Sequence, residues 1–185
     1  MRINFKYLSA LFLTAFVLIV AFVAMFVPWY EYEVHNYSFG KEYTYKHNSG
    51  QLKTMYDLIL TSLVLAVVFG VFLASILTIF SFGCFRAIGR WRKKLRVPAI
   101  LLGCLLVPLV MAAWLLLFWH PAALSHDLDC DVSDTPCDTF MKSGDWGPRE
   151  GFWMSLVATI PAILAAIFTC VGGHPAGRLH GYNAL

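Results

Sequence analysis

Four apolar runs without Asp, Glu, Lys, Arg or His, at 8–28, 58–82, 97–119 and 151–172, set the class of structure open to this chain. The shortest is 21 residues long. At about 1.5 Å of rise per residue it covers roughly 30 Å, the thickness of a bilayer's hydrocarbon core. Inside lipid every backbone N–H and C=O must find a partner, and for single runs of this length that means α-helix. Composition agrees, since 59% of the 185 residues are apolar and 14% charged, against roughly a quarter charged in soluble domains. The chain reads as a single four-span membrane domain over 1–185, with connections at 29–57, 83–96 and 120–150 and a tail at 173–185. The first run follows Arg2 and Lys6 and would also suit a signal peptide. It is longer than an h-region and leads into Val27-Pro28-Trp29-Tyr30, not into a small-x-small cleavage site, so a retained span is expected.

Basic residues orient the spans. Arg86, Arg90, Arg92, Lys93, Lys94 and Arg96 crowd into one connection that holds no acid. Such a cluster resists translocation and is drawn to the anionic lipids of the inner leaflet. Nine of the fourteen Lys and Arg then fall on the side of the termini and this connection, against five in the two other connections. Both termini are expected in the cytoplasm of a multi-pass protein of the plasma membrane or an endomembrane.

The two outer connections differ in character. From Tyr30 to Lys46 the aromatic and β-branched positions alternate with polar ones: Tyr30, Tyr32 and Val34, then Tyr37 and Phe39, then Tyr43 and Tyr45. That period of two about Gly40 predicts a β-hairpin turning at the glycine. A lone hairpin is marginal in water and needs a further strand, a partner or lipid against it. Tyr43, Tyr45 and Trp146 are accordingly candidate partner contacts. Asn36-Tyr37-Ser38 is a glycosylation sequon on the same side. The connection at 120–150 is acidic, with Asp127, Asp129, Asp131, Asp134, Asp138, Asp145 and Glu150 against Lys142 and Arg149. Its Asp127, Asp129, Asp131 alternation resembles the start of a calcium loop, but Val132 and Asp138 stand where Gly and Glu are required. A solvated acidic face is the expected reading. Cys130 and Cys137 lie on the oxidising side, where a disulfide would constrain the loop by about 2 to 3 kcal/mol. A quinone-linked thiol oxidase would need a Cys-x-x-Cys pair, which the sequence lacks.

Within the spans, Ala66, Gly70 and Ala74 form one small-residue strip and Ala158, Ala162 and Ala166 another. Such strips let helices approach closely in lipid, and these two could meet. Pro98 is expected in the first turn of the third span and Pro108 to bend it. Trp114, Phe118, Trp119 and His120 read as an aromatic anchor at the outer interface. Cys84 and Cys170, near the inner ends of the second and fourth spans, are acylation candidates. Cys104 reads as a small apolar residue. Proton relays, coupled transport and intramembrane hydrolysis rely on Asp, Glu, Lys, Arg or His at depth, which these runs lack. The six His show no zinc-site spacing. No enzyme, metal or cofactor and no nucleic-acid partner is expected.

The Val27-Pro28-Trp29 exit and the stretch Trp146-Gly147-Pro148-Arg149-Glu150-Gly151-Phe152-Trp153, set in this four-span layout, resemble the claudin and PMP22 class of tetraspan proteins. That family's first-loop Trp-Gly-Leu-Trp with two Cys is absent, and the Cys pair here stands in the second loop. The resemblance implies cytoplasmic termini, a first extracellular loop built of β-strands and a shorter second one. Taken together, the expected fold is an all-α transmembrane four-helix bundle with a small extracellular β-hairpin or sheet. The expected function is that of a non-enzymatic structural, adhesion or accessory subunit, working by contact with other membrane proteins or copies of itself. The alternative is an oligomeric channel or small-molecule-binding protein with an acidic outer vestibule.

Overall fold

The computed structural model describes residues 5–33, 40–43, 50–82, 88–127, 140–141 and 146–172. Five helices and three short strands occur among them: α1 (Phe5–Ala24), β1 (Tyr30–Glu33), β2 (Gly40–Tyr43), α2 (Gly50–Phe82), α3 (Ile88–Leu117), α4 (His120–Asp127), β3 (Trp146–Pro148) and α5 (Glu150–Gly172). Four of the helices, α1, α2, α3 and α5, are long and apolar enough to cross a membrane. Only about a third of each span faces protein. Phe12, Phe16, Ile19, Val71, Phe72, Leu101, Leu105, Ile160 and Ile167 are among the large apolar side chains turned outward. In water such a surface would drive aggregation, whereas in lipid it is the solvated face.

The four long helices form a ring in which α1 packs on α2 and α5, and α3 packs on the same two. Neighbours run antiparallel. Tyr7 at the start of α1 meets Phe80 at the end of α2, with ring centroids 5.0 Å apart. The same tyrosine covers Gly172 at the end of α5, where an added Cβ would lie 2.9 Å from its ring. Apolar packing gathers into two layers. One, at this end, holds Tyr7, Val17, Leu73, Leu77, Phe80, Leu106 and Val110 with the small Ala10, Ala66, Ala99, Ala158 and Ala162. The other lies at the opposite end beneath the strands and contains Trp29, Tyr30, Leu52, Met55, Tyr56, Leu117 and Phe152.

Several element boundaries depart from the sequence expectation. α2 starts at Gly50, eight residues before the apolar run, because Leu52, Met55, Tyr56 and Ile59 continue its buried stripe at helical spacing while Lys53, Thr54 and Asp57 stay outside. Gly50 itself opens the helix at φ 58°, a left-handed value that costs glycine nothing. α3 starts at Ile88, so Arg90, Arg92, Lys93, Lys94 and Arg96 belong to a helix and not to a loop. Pro98 is therefore well inside the helix, where it withdraws the donor that the Lys94 carbonyl would otherwise receive. α3 also runs on through Pro108, and α5 through Pro161. The connection beyond α3 is not wholly loop either, since α4 occupies its first eight residues and lies against the early turns of α2.

The strands make one antiparallel sheet in the order β2-β1-β3. Gly40 is not the turn that the alternation suggested. It opens β2 opposite Glu33, and the register continues to Tyr43 opposite Tyr30. On its other edge β1 pairs with Trp146–Pro148, Tyr30 standing opposite Pro148. The sheet thus ties the chain leaving α1 to the chain entering α5, two helices that are already neighbours.

Candidate functional site

The sheet end of the bundle is where the chain concentrates buried aromatic and polar groups, and Trp29 is its pivot. The last carbonyls of α1 have no helical donor left, and the indole Nε1–H of Trp29 donates to one of them, Ala24 O, at 2.8 Å. Backbone bonds then join the α1 exit to the α5 entrance: Arg149 N–H donates to Trp29 O and Gly151 N–H to Pro28 O, each at 3.0 Å. Glycine at 151 allows this, because a Cβ there would fall 2.6 Å from the Trp29 indole.

Beside it, Tyr30 is fully buried at the junction of sheet and helices. Its hydroxyl donates to Phe140 O at 2.8 Å. Its ring stacks on His120, the first residue of α4, at 3.8 Å between centroids and 23° between planes. Tyr56 from α2 meets the same imidazole edge-on at 6.3 Å. Burial pushes the His120 pKa down to about 3, since there is little water to solvate an imidazolium there. At neutral pH the ring is an uncharged slab that links α4, α2 and β1. Phe118, Phe140 and Phe152 close the layer, with Phe118 and Phe140 4.7 Å apart. His120 is thus packed inside, not displayed as an interfacial anchor.

Beneath this cap, a polar chain crosses from α3 to α5. Trp114 Nε1–H donates to Thr159 Oγ1 at 3.0 Å, and the threonine hydroxyl donates in turn to Ser155 O at 3.1 Å. Thr14 and Thr169 are buried too, each donating to the carbonyl four residues earlier. In this way the hydroxyls of Thr14, Thr159 and Thr169 enter the lipid phase with their donors paired.

The small-residue strips are not on neighbouring helices of the ring. α2 and α5 stand diagonally across the ring. Gly70 faces α1, with Leu18 2.6 Å from an added Cβ, and Ala166 faces Gly103 of α3, whose added Cβ would be 3.4 Å from the Ala166 Cα. Ala66, Ala158 and Ala162 are buried, while Ala74 and Ala166 are partly so. At the other end of the molecule Lys94 is exposed and Arg96 half-buried. Cys170 is half-buried on α5, and Cys104 is exposed on α3. Tyr43 closes β2, and Trp146 opens β3 opposite Tyr32. Asp127 ends α4. Asn36, Tyr45, Cys84, Arg86, Asp129, Cys130, Asp131 and Cys137 lie outside the described residues. Among the described residues no three potential metal ligands come together.

Sequence reasoning missed that Tyr30, Tyr56 and His120 converge. The available signal was spacing: Leu52, Met55, Tyr56 and Ile59 already extend the helical stripe of α2 past its charged residues. Comparison with known family models, with curated proteins and with solved structures returns no match for this chain.

Proposed function

We propose that this chain is a non-enzymatic tetraspan that works by contact, as a structural, adhesion or accessory subunit whose sheet end faces the cell exterior and whose termini lie in the cytoplasm. The observation that carries the reading is the clamp between the two outer connections: Trp29 seated on Gly151, with β1 hydrogen-bonded to β3. A clamp of this kind holds a small sheet rigidly on the end of a bundle, and rigid elements present recognition surfaces at low ordering cost. The interior of one copy is filled by Val17, Leu73, Leu77, Leu106 and Val110, which favours contact over conduction through a single bundle. The charge asymmetry of the sequence supports the orientation. The joined Val27-Pro28-Trp29 and Trp146–Trp153 segments support likeness to the claudin and PMP22 class, though likeness of fold alone carries no activity.

The test is native-membrane crosslinking from the sheet end, followed by purification in mild detergent. A stoichiometric membrane partner, or a defined homo-oligomer, is the expected outcome. A lone monomer with no crosslinked neighbour would reject the reading, and cation flux in liposomes holding only this chain would favour the channel alternative.

A further inference from the structure

We propose that two copies of this chain pair through the outer face of α2, in a parallel two-fold seam that runs along the membrane normal. The pairing rests on the reading of the chain as a protein that works by contact, and it names one contact. Thr61, Val64, Val68, Val71, Ser75 and Thr78 follow one another at alternating steps of three and four residues, and all six are exposed. That is the heptad period of two helices crossing at a shallow left-handed angle. From Thr61 to Thr78 the stripe covers about 26 Å at 1.5 Å per residue, most of the hydrocarbon core. It lies opposite the face that α2 buries in its own bundle at Leu63, Ala66, Leu73 and Leu77.

These side chains differ from those that the other spans turn to lipid. α1 shows Phe12, Phe16 and Ile19, α3 Leu101 and Leu105, and α5 Ile160 and Ile167. The α2 stripe is instead short and mostly β-branched. In a helix valine keeps one χ1 rotamer, so packing it against a neighbour orders little further, and its small cross-section lets two backbones close. Three of the six residues carry hydroxyls. Thr61, Ser75 and Thr78 donate to the carbonyls of Asp57, Val71 and Ala74 at 2.7, 2.8 and 2.8 Å. Each oxygen keeps a lone pair that lipid cannot serve and that a hydroxyl on a facing helix can. By contrast Thr14, Ser155, Thr159 and Thr169 turn inward.

Charge selects the occupant. Copies inserted with the same topology are related by an axis along the membrane normal, so their α2 helices meet in parallel at equal depth. One turn before Thr61 the stripe continues into Asp57, and Lys53 stands one turn further toward the sheet end; both are exposed. The two-fold axis sets Lys53 of each copy beside Asp57 of the other, an alternating quartet of charges at the rim of the hydrocarbon. A helix of another protein would have to bring both charges in the same order. A second copy brings them by symmetry.

The experiment uses the full chain in liposomes at high lipid dilution, with copies tagged at the C-terminus by a donor or an acceptor fluorophore, and reads energy transfer between them. Lys53→Asp makes an all-acid rim and Asp57→Lys an all-basic one. Each alone should associate roughly tenfold more weakly than the unsubstituted chain, and a mixture of the two should recover. Val64→Phe with Val71→Phe should also weaken association roughly tenfold by holding the helices apart. The inner face of α2 is untouched in that variant, so the unfolding midpoint of the detergent-solubilised monomer should not move. In native membranes, an oxidant should crosslink a cysteine-free chain carrying Val68→Cys into a dimer, and leave one carrying Phe16→Cys on the outer face of α1 as a monomer. Association that survives the two phenylalanines, or a charge mixture that does no better than its parts, overturns the pairing. So does crosslinking at Phe16→Cys as readily as at Val68→Cys, or absence of energy transfer in the unsubstituted chain. If crosslinks from the sheet end persist when the seam fails, the contact reading stands without it; if they are missing too, both fall.

Discussion

Gly151 and Trp29 occupy one volume: the indole fills the space that any side chain at 151 would claim, with the missing Cβ placed 2.6 Å from the ring. The ring has no route of escape. It is buried, and its Nε1–H is held on Ala24 O. Gly151→Ala must therefore push apart the α1 exit and the α5 entrance. A loss of about 1 to 3 kcal/mol is expected, as for overpacking elsewhere, read as a lowered unfolding midpoint in mild detergent.

Gly70 offers the contrasting case. Its added Cβ would meet Leu18 at a similar 2.6 Å, but the atom it meets is Cδ2, the end of a flexible side chain at the partly exposed rim of α1. Leucine can change rotamer where an indole pinned by a hydrogen bond cannot. Gly70→Ala should cost less than about 1 kcal/mol, and Gly70→Phe should separate α1 from α2. Comparing unfolding midpoints of the two alanine variants checks the ranking.

The bond from Trp114 to Thr159 joins two spans in a medium where apolar burial does not discriminate between protein and lipid. Trp114→Phe and Thr159→Val should each destabilise, and a double-mutant cycle should return a coupling of roughly 0.5 to 1.5 kcal/mol. Additive effects would mean that the hydroxyl and the indole do not act together.

His120 makes stability depend on acid. Its folded pKa of about 3 lies below the ordinary 6.5. Between those values the unfolded chain binds a proton that the folded chain refuses, so stability rises with pH up to about 6.5 and is level above it. Acidification below that point should cost roughly 1.4 kcal/mol per pH unit from this group. His120→Phe keeps a ring on Tyr30 and removes the titration. Unfolding midpoints between neutral pH and mild acid should therefore flatten in the variant.

The spans were legible because a charge-free run long enough to cross a bilayer has few other uses, and the structure has its four long helices over those runs. The helix ends were not. Lys53 and Asp57 interrupt the apolar run before Leu58 but not the stripe of Leu52, Met55, Tyr56 and Ile59, so α2 is longer than its hydrophobic core. Arg90 to Arg96 was read as a loop because charge signals topology and says little about helicity, to which Arg and Lys are well suited. β3 escaped notice because Trp146-Gly147-Pro148 is too short to show a period and contains two residues that ordinarily disfavour strands. What makes it a strand is β1, a partner more than a hundred residues away. The convergence of Tyr30, Tyr56 and His120 is likewise tertiary, since the three come from β1, α2 and α4 and share no local pattern.

The account stands on four membrane crossings that put the sheet and the chain's end on opposite faces. The most direct test introduces one cysteine at a time, Lys41→Cys in β2 or a cysteine appended after Leu185, into a cysteine-free chain in sealed vesicles, and labels it with an impermeant maleimide. Labelling of the two sites from opposite faces is the predicted result. Labelling of both from the same face would contradict the account.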